Sequence, residues 1–130
     1  MNEREFASQM LLMAEKDLAV LRHMLQDPPV PDEGFGFHAQ QCVEKTLKAW
    51  LTIMEVEYPR THNLGELAKL LQLSGVDLDV RFRSLLRLSS FAVEFRYEPS
   101  EPSDMPLDRV TLTRLIEDLM ATAKNRFGIA

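Results

Sequence analysis

The 130-residue chain is predicted to fold as one all-α domain over residues 1–130, an antiparallel bundle of about five helices. Two patterns predict it. Apolar residues recur at three-and-four spacing in five separate stretches, the period that places them on one face of a helix. Breaks containing Pro or Gly separate those stretches, and short connections make neighbouring helices antiparallel. No internal repeat, low-complexity segment or β-hairpin signal competes with this reading.

The first helix is expected from Asn2 to about Gln26, a stretch without Gly or Pro and rich in Met, Leu, Ala, Glu and Lys. Its apolar stripe reads Phe6, Met10, Met13, Val20, Leu21 and Met24, with Asp17 in its middle. A carboxylate there needs a partner, or else the stripe is shifted and Asp17 lies at a wet edge. The prolines between Asp27 and Gly34 end this helix. The second is expected to start between Gly34 and Phe37 and to run to about Met54. Its core face is Ala39, Val43, Leu47, Trp50, Leu51 and Met54, and its opposite face is His38, Gln41, Lys45, Lys48 and Thr52. Cys42 reads as a small packing residue. After Tyr58-Pro59-Arg60, Asn63 with Glu66 three residues on is a capping-box-like start, with Thr61 as the competing cap. Leu64, Leu67, Ala68 and Leu71 then form a short third helix that stops at Ser74-Gly75. Asp77 or Asp79 caps the fourth, whose stripe includes Phe82, Leu85, Leu88, Ala92 and Val93. Its regular continuation would carry Arg96 on the line of Leu85, Ser89 and Ala92. Tyr97 to Pro106 reads as an ordered loop. The last helix runs from about Pro106 to Phe127, with Leu112, Leu115, Ile116, Leu119, Ala123 and Phe127 on its face and Gly128 closing it.

The composition bounds the function. Fifteen basic against twenty acidic residues give a net charge of −5, which argues against a general polyanion binder while leaving room for a local basic patch. One cysteine excludes an internal disulfide framework and fits a reducing compartment. No apolar run reaches the roughly 20 residues of a membrane helix, and the acidic N-terminus is unlike a signal peptide. The expectation is a cytoplasmic protein without membrane contact.

His23, His38 and His62 are scattered without metal-ligand spacing, so no metal is expected. No Gly-rich phosphate loop or dinucleotide signal is present, and no cofactor is implied. What stands out is a set of polar residues aimed inward from three helices: Asp17, Gln40, Glu44 and Arg96. A carboxylate paired with the arginine would relieve the desolvation of both. Either this is an internal network that sets helix register, or it is a cleft whose Arg96 meets a phosphate.

The run Phe37-His38-Ala39-Gln40-Gln41-Cys42-Val43-Glu44-Lys45-Thr46-Leu47-Lys48 resembles the second-helix signature of the HEPN domain family, Phe-His-x-Gln-Gln-x-x-Glu-Lys-x-Leu-Lys. Ala14-Glu15-Lys16-Asp17-Leu18 resembles the family's first-helix Ala-x-x-Asp-Leu. Pro59-Arg60-Thr61-His62-Asn63-Leu64 resembles its Pro-x-Thr-His-Asp-Leu, with Asn63 for the usual Asp. Phe95-Arg96-Tyr97-Glu98 is similar to its Ala-Arg-Tyr-Pro. Each motif is weak alone, and four in order are specific. The resemblance implies an all-α bundle that usually forms a homodimer. It is closest to the stand-alone bacterial and archaeal branch related to the C-terminal domain of sacsin. Members are often encoded beside a small nucleotidyltransferase, in part of the family as a toxin–antitoxin pair. Many are metal-independent RNases in which an Arg is followed four to six residues later by His.

Here no histidine follows His62, and Ser100 to Ser103 stand where that His would be. A ribonuclease would need Tyr97, His38 or His62 to supply the missing acid–base group. The leading reading is therefore a non-catalytic, homodimeric binding module for a nucleotide, an RNA phosphate or a protein partner. Arg96, Tyr97, His38, Gln41 and Lys45 would line its site, and Asp17, Gln40 and Glu44 would form the buried network. One alternative is an RNase toxin using Arg96 and paired with a nucleotidyltransferase. Another is a purely structural dimerisation domain. Dimerisation is expected because Phe82, Phe91 and Phe95 lie on more than one face of the fourth helix.

Overall fold

The computed structural model describes residues 1–25, 31–92 and 107–128. Among them are four α-helices, α1 (Glu3–Met24), α2 (Asp32–Ile53), α3 (Leu64–Leu73) and α4 (Arg109–Phe127). A 3₁₀ helix, Val80–Phe91, lies between α3 and α4, and there is no strand. The fold is an all-α bundle with α2 at its centre, touching each of the other helices. Most of α2 is buried, from Phe35 and Ala39 through Val43 and Leu47 to Leu51.

Asn2 starts α1 by accepting the Glu5 amide at 2.9 Å. The buried stripe of α1 is Ala7, Leu11, Ala14, Leu18 and Leu21. It lies beside the expected stripe, one residue further along: Phe6 and Met13 are exposed, at 41% and 50%. Small residues let helix axes approach closely, and Ala7 and Ala14 belong to the buried seam. The Cys42 thiol of α2 donates to the Ala14 carbonyl at 3.3 Å across that contact. The pair is antiparallel, with Met10 meeting Tyr58, Asp17 meeting Lys45, and Met24 reaching Asp32 through Arg109.

Helix α2 begins at Asp32, earlier than expected. Pro31 is its N-cap, and its carbonyl accepts from the amides of Gly34 and Phe35. A proline lacks only a donor that the helix start does not use. Before α3 the cap is Asn63, not its competitor Thr61. Asn63 accepts the Glu66 amide, while the Thr61 hydroxyl accepts the Asn63 amide. Gly75 and Gly128 have positive φ, as the two helix stops require. Helix α4 starts at Arg109, with Asp108 accepting both the amide and the hydroxyl of Thr111. Pro106, expected in its first turn, lies outside the described residues.

The fourth segment is not the regular α-helix expected. A 3₁₀ helix has three residues per turn, so side chains at i and i+3 stack on one face. Phe82, Leu85 and Leu88 are buried, and Phe91 follows at the same spacing. Asp79 caps the segment through the Arg81 amide. Hydroxyls of Ser84, Ser89 and Ser90 donate to the carbonyls three residues back. The segment ends at Ala92, whose backbone is extended. The 3₁₀ helix thus stops short of Arg96, and Phe82 and Phe91 share one of its faces. Val93, Phe95, Arg96, Tyr97 and the rest of the expected loop to Pro106 lie outside the described residues.

Candidate functional site

One face of α2 carries His38, Gln41, Lys45 and Lys48, all partly exposed, at three-and-four spacing. Asp17 of α1 borders it on one side and His62, just before α3, on the other. Two buried carboxylates organise this face.

The first is Asp17. The Lys45 ammonium donates to its Oδ2 at 2.6 Å, and His38 Nδ1 lies 3.1 Å from its Oδ1. The imidazole also meets the Phe37 ring edge-on, centroids 5.3 Å apart. An ion pair with a hydrogen bond offsets the cost of burying a carboxylate. Asp17 thus has the partner that the sequence demanded, although the stripe is also shifted.

The second is Glu44. Gln40 Nε2 donates to Glu44 Oε1 at 2.9 Å and to the His62 carbonyl at 3.0 Å. His62 Nδ1 lies 2.8 Å from the same Oε1, and Lys48 donates to Oε2 at 3.1 Å. Burial pushes the Glu44 carboxyl up, but the hydrogen bonds from Gln40 and His62 and the charge of Lys48 outweigh it. The group is held below its ordinary value. Gln41 Nε2 donates to Gln40 Oε1 at 2.8 Å, which fixes the orientation of the Gln40 amide.

Ionised carboxylates only accept, so both imidazoles carry their proton on Nδ1. This leaves Nε2 of each as the unused edge: neither has a hydrogen-bond partner among the described residues. The side chains of His38 and His62 are 31% and 43% exposed. Such an Nε2 accepts a proton or hydrogen bond when neutral and donates when protonated. Among the described residues the face is charge-balanced, since Asp17 and Glu44 match Lys45 and Lys48.

The expected site is thus partly assembled and differently divided. His38, Gln41 and Lys45 do share a face. They are also members of the hydrogen-bond networks: Lys45 and His38 are held by Asp17, and Gln41 by Gln40. Asp17, Gln40 and Glu44 are all buried, but they fall in two clusters rather than one. Arg96 and Tyr97 lie outside the described residues, and so does the expected pairing of Arg96 with a carboxylate. Lys48 and His62 join the site beyond the residues expected there. Lys48 was legible as the i+4 partner of Glu44, whereas His62 is brought in only by the chain turning back after α2.

Burial first, then the nearby Asp17 charge, pushes the Cys42 thiol up to about 12. It donates to Ala14 and Met120 and is inert at neutral pH. Among the described residues no three His, Cys, Asp or Glu side chains converge as a metal site, and no helix is long and apolar enough to cross a membrane. Two cavities lie away from this face. One of about 270 Å³ lies between α3 and the 3₁₀ helix, and one of about 370 Å³ lies between α1 and α4.

A family model described as HEPN domain matches residues 7–125 of the chain. No curated protein and no solved structure matches it.

Proposed function

The chain belongs to the HEPN domain family, and on that premise we propose that it is a non-catalytic binding module, acting in the cytoplasm as a homodimer. The polar face of α2 engages the phosphate of a nucleotide or RNA, with a protein partner as the other occupant. Arg96 and Tyr97 would add charge and stacking to that face. The observation that carries this reading is the pair of imidazoles on one face, each held through Nδ1 by a buried carboxylate with its Nε2 edge unengaged. Polar groups fixed in place before binding lose little entropy when a ligand arrives.

Calorimetric titration with nucleotides and short RNAs tests the reading. Saturable heat with either supports the phosphate-binding version; none with any leaves the protein partner. Sedimentation tests the homodimer, and a monomer at micromolar concentration overturns it.

A second reading is favoured by His62. A carboxylate-oriented imidazole is acid–base machinery, so the chain can be read as a metal-independent RNase toxin paired with a small nucleotidyltransferase. Metal-free RNA cleavage, lost in Arg96→Ala and His62→Ala, supports it. Intact RNA and unimpaired growth on expression sink it.

A further inference from the structure

Among the described residues the fixed charges on the polar face of α2 cancel: Asp17 and Glu44 contribute two negative charges, Lys45 and Lys48 two positive. Lys45 and Lys48 are mostly covered, at 19% and 14% exposure, and each already donates to a carboxylate. The groups that meet solvent with an open edge are the two imidazoles. With both imidazoles neutral these described groups carry no net charge and present Nε2 lone pairs, which repel an anion. With both protonated they carry two positive charges and present two Nε2–H donors.

Building on the reading that this face meets phosphate, we propose that His38 and His62 make it a proton-coupled anion site. It takes up a phosphate ester while the imidazoles are protonated and releases it when they lose their protons. Asp17 of α1 and Lys45 of α2 face His38, and Glu44 and Lys48 of α2 face His62. Glu66, in the first turn of α3, forms no ion pair with His62. The other charged residues of α1 nearby, Glu15 and Arg22, pair with Lys124 and Glu117 of α4. Among the described residues each imidazole therefore answers to one carboxylate and one ammonium, whose charges cancel. Protonation is then the step that adds positive charge to the face.

Free nucleotides and RNA backbones share this phosphate chemistry, and titration of the full chain with AMP and with a short oligouridine separates them. The oligouridine backbone does not titrate near neutrality, so protons taken up with it are the protein's. At constant ionic strength its Kd should rise with pH, approaching about 100-fold per pH unit on the alkaline limb when two protons are linked to binding. His38→Gln and His62→Gln should each reduce that limit to about tenfold. Asp17→Asn, which leaves Lys45 unmatched, should preserve binding further into the alkaline range, whereas a merely structural Asp17 would lose binding with the fold, as circular dichroism would reveal. A Kd independent of pH, or a slope unchanged in both histidine variants, overturns the inference while leaving phosphate binding intact. Failure of both probes to bind at every pH overturns it together with the phosphate reading.

Discussion

Burial penalises the charged form of Glu44, and donors from Gln40, His62 and Lys48 more than repay that penalty. The folded pKa therefore lies below the ordinary 4.5, and the sign of the pH dependence follows. The stabilisation is fully present above the unfolded value and is lost as pH falls through the folded one. Glu44→Gln should cost about 1–3 kcal/mol at neutral pH. In denaturant titrations the gap from the wild type should close below pH ~4.5, the ordinary value. Thr113 gives the opposite case. Its hydroxyl is buried without a hydrogen-bond partner among the described residues, so Thr113→Val should leave Tm unchanged or raise it. A clear fall in Tm would mean that the hydroxyl is satisfied. Asn63 and Gly128 were legible as cap and stop because their chemistry is local. The partnership of His62 with Glu44 was not, because it joins residues eighteen apart in sequence across a turn of the chain.

At the level of the helix, α1 shows why spacing alone misplaced a face. Phe6, Met10, Met13, Asp17, Val20 and Met24 keep helical spacing, and so do Ala7, Leu11, Ala14, Leu18 and Leu21 immediately beside them. Periodicity cannot choose between adjacent apolar seams, whereas close packing against α2 selects the one with small residues. The 3₁₀ helix escaped notice for a similar reason, since a spacing of three suits both helix types. Where it meets α2, Gly36 is required: a Cβ there would lie 2.4 Å from the Phe91 ring. Gly36→Ala gains up to about 1 kcal/mol of helix propensity yet collides with that ring. It should therefore lower Tm, and adding Phe91→Ala should restore part of the loss. Additive losses in the double variant would contradict the contact.

Across the whole molecule, Arg109 ties the start of α4 to both neighbouring helices. It donates to the Met24 carbonyl at the end of α1 and to Asp32 at the start of α2, and it lies over the Phe35 ring. Asp32 also accepts the Leu107 amide. Residues so far apart in sequence give no local signal of this tie. Arg109→Ala should destabilise the domain by about 2–4 kcal/mol, since it leaves a half-buried carboxylate without its cation. Chemical denaturation that shifts by less than the error would show the tie to be dispensable. The bundle itself was legible because helix-forming stretches and their breaks are written locally. The division of its polar residues into two clusters was not, because it depends on the rotation of α1 against α2.

The Val80–Phe91 segment also sets a length and a phase. A 3₁₀ helix rises about 2.0 Å and turns about 120° per residue, against about 1.5 Å and 100° in an α-helix. Over the nine steps from Phe82 to Phe91, rewinding as α would draw the far end back by about 4.5 Å and turn it by about 180°. Phe91 would leave Gly36, and the chain beyond Ala92 would start from the other side of the helix. The ring seated on Gly36 thus acts as a ratchet pawl, holding the segment at its longer pitch and fixing the side of the helix on which Ala92 ends it.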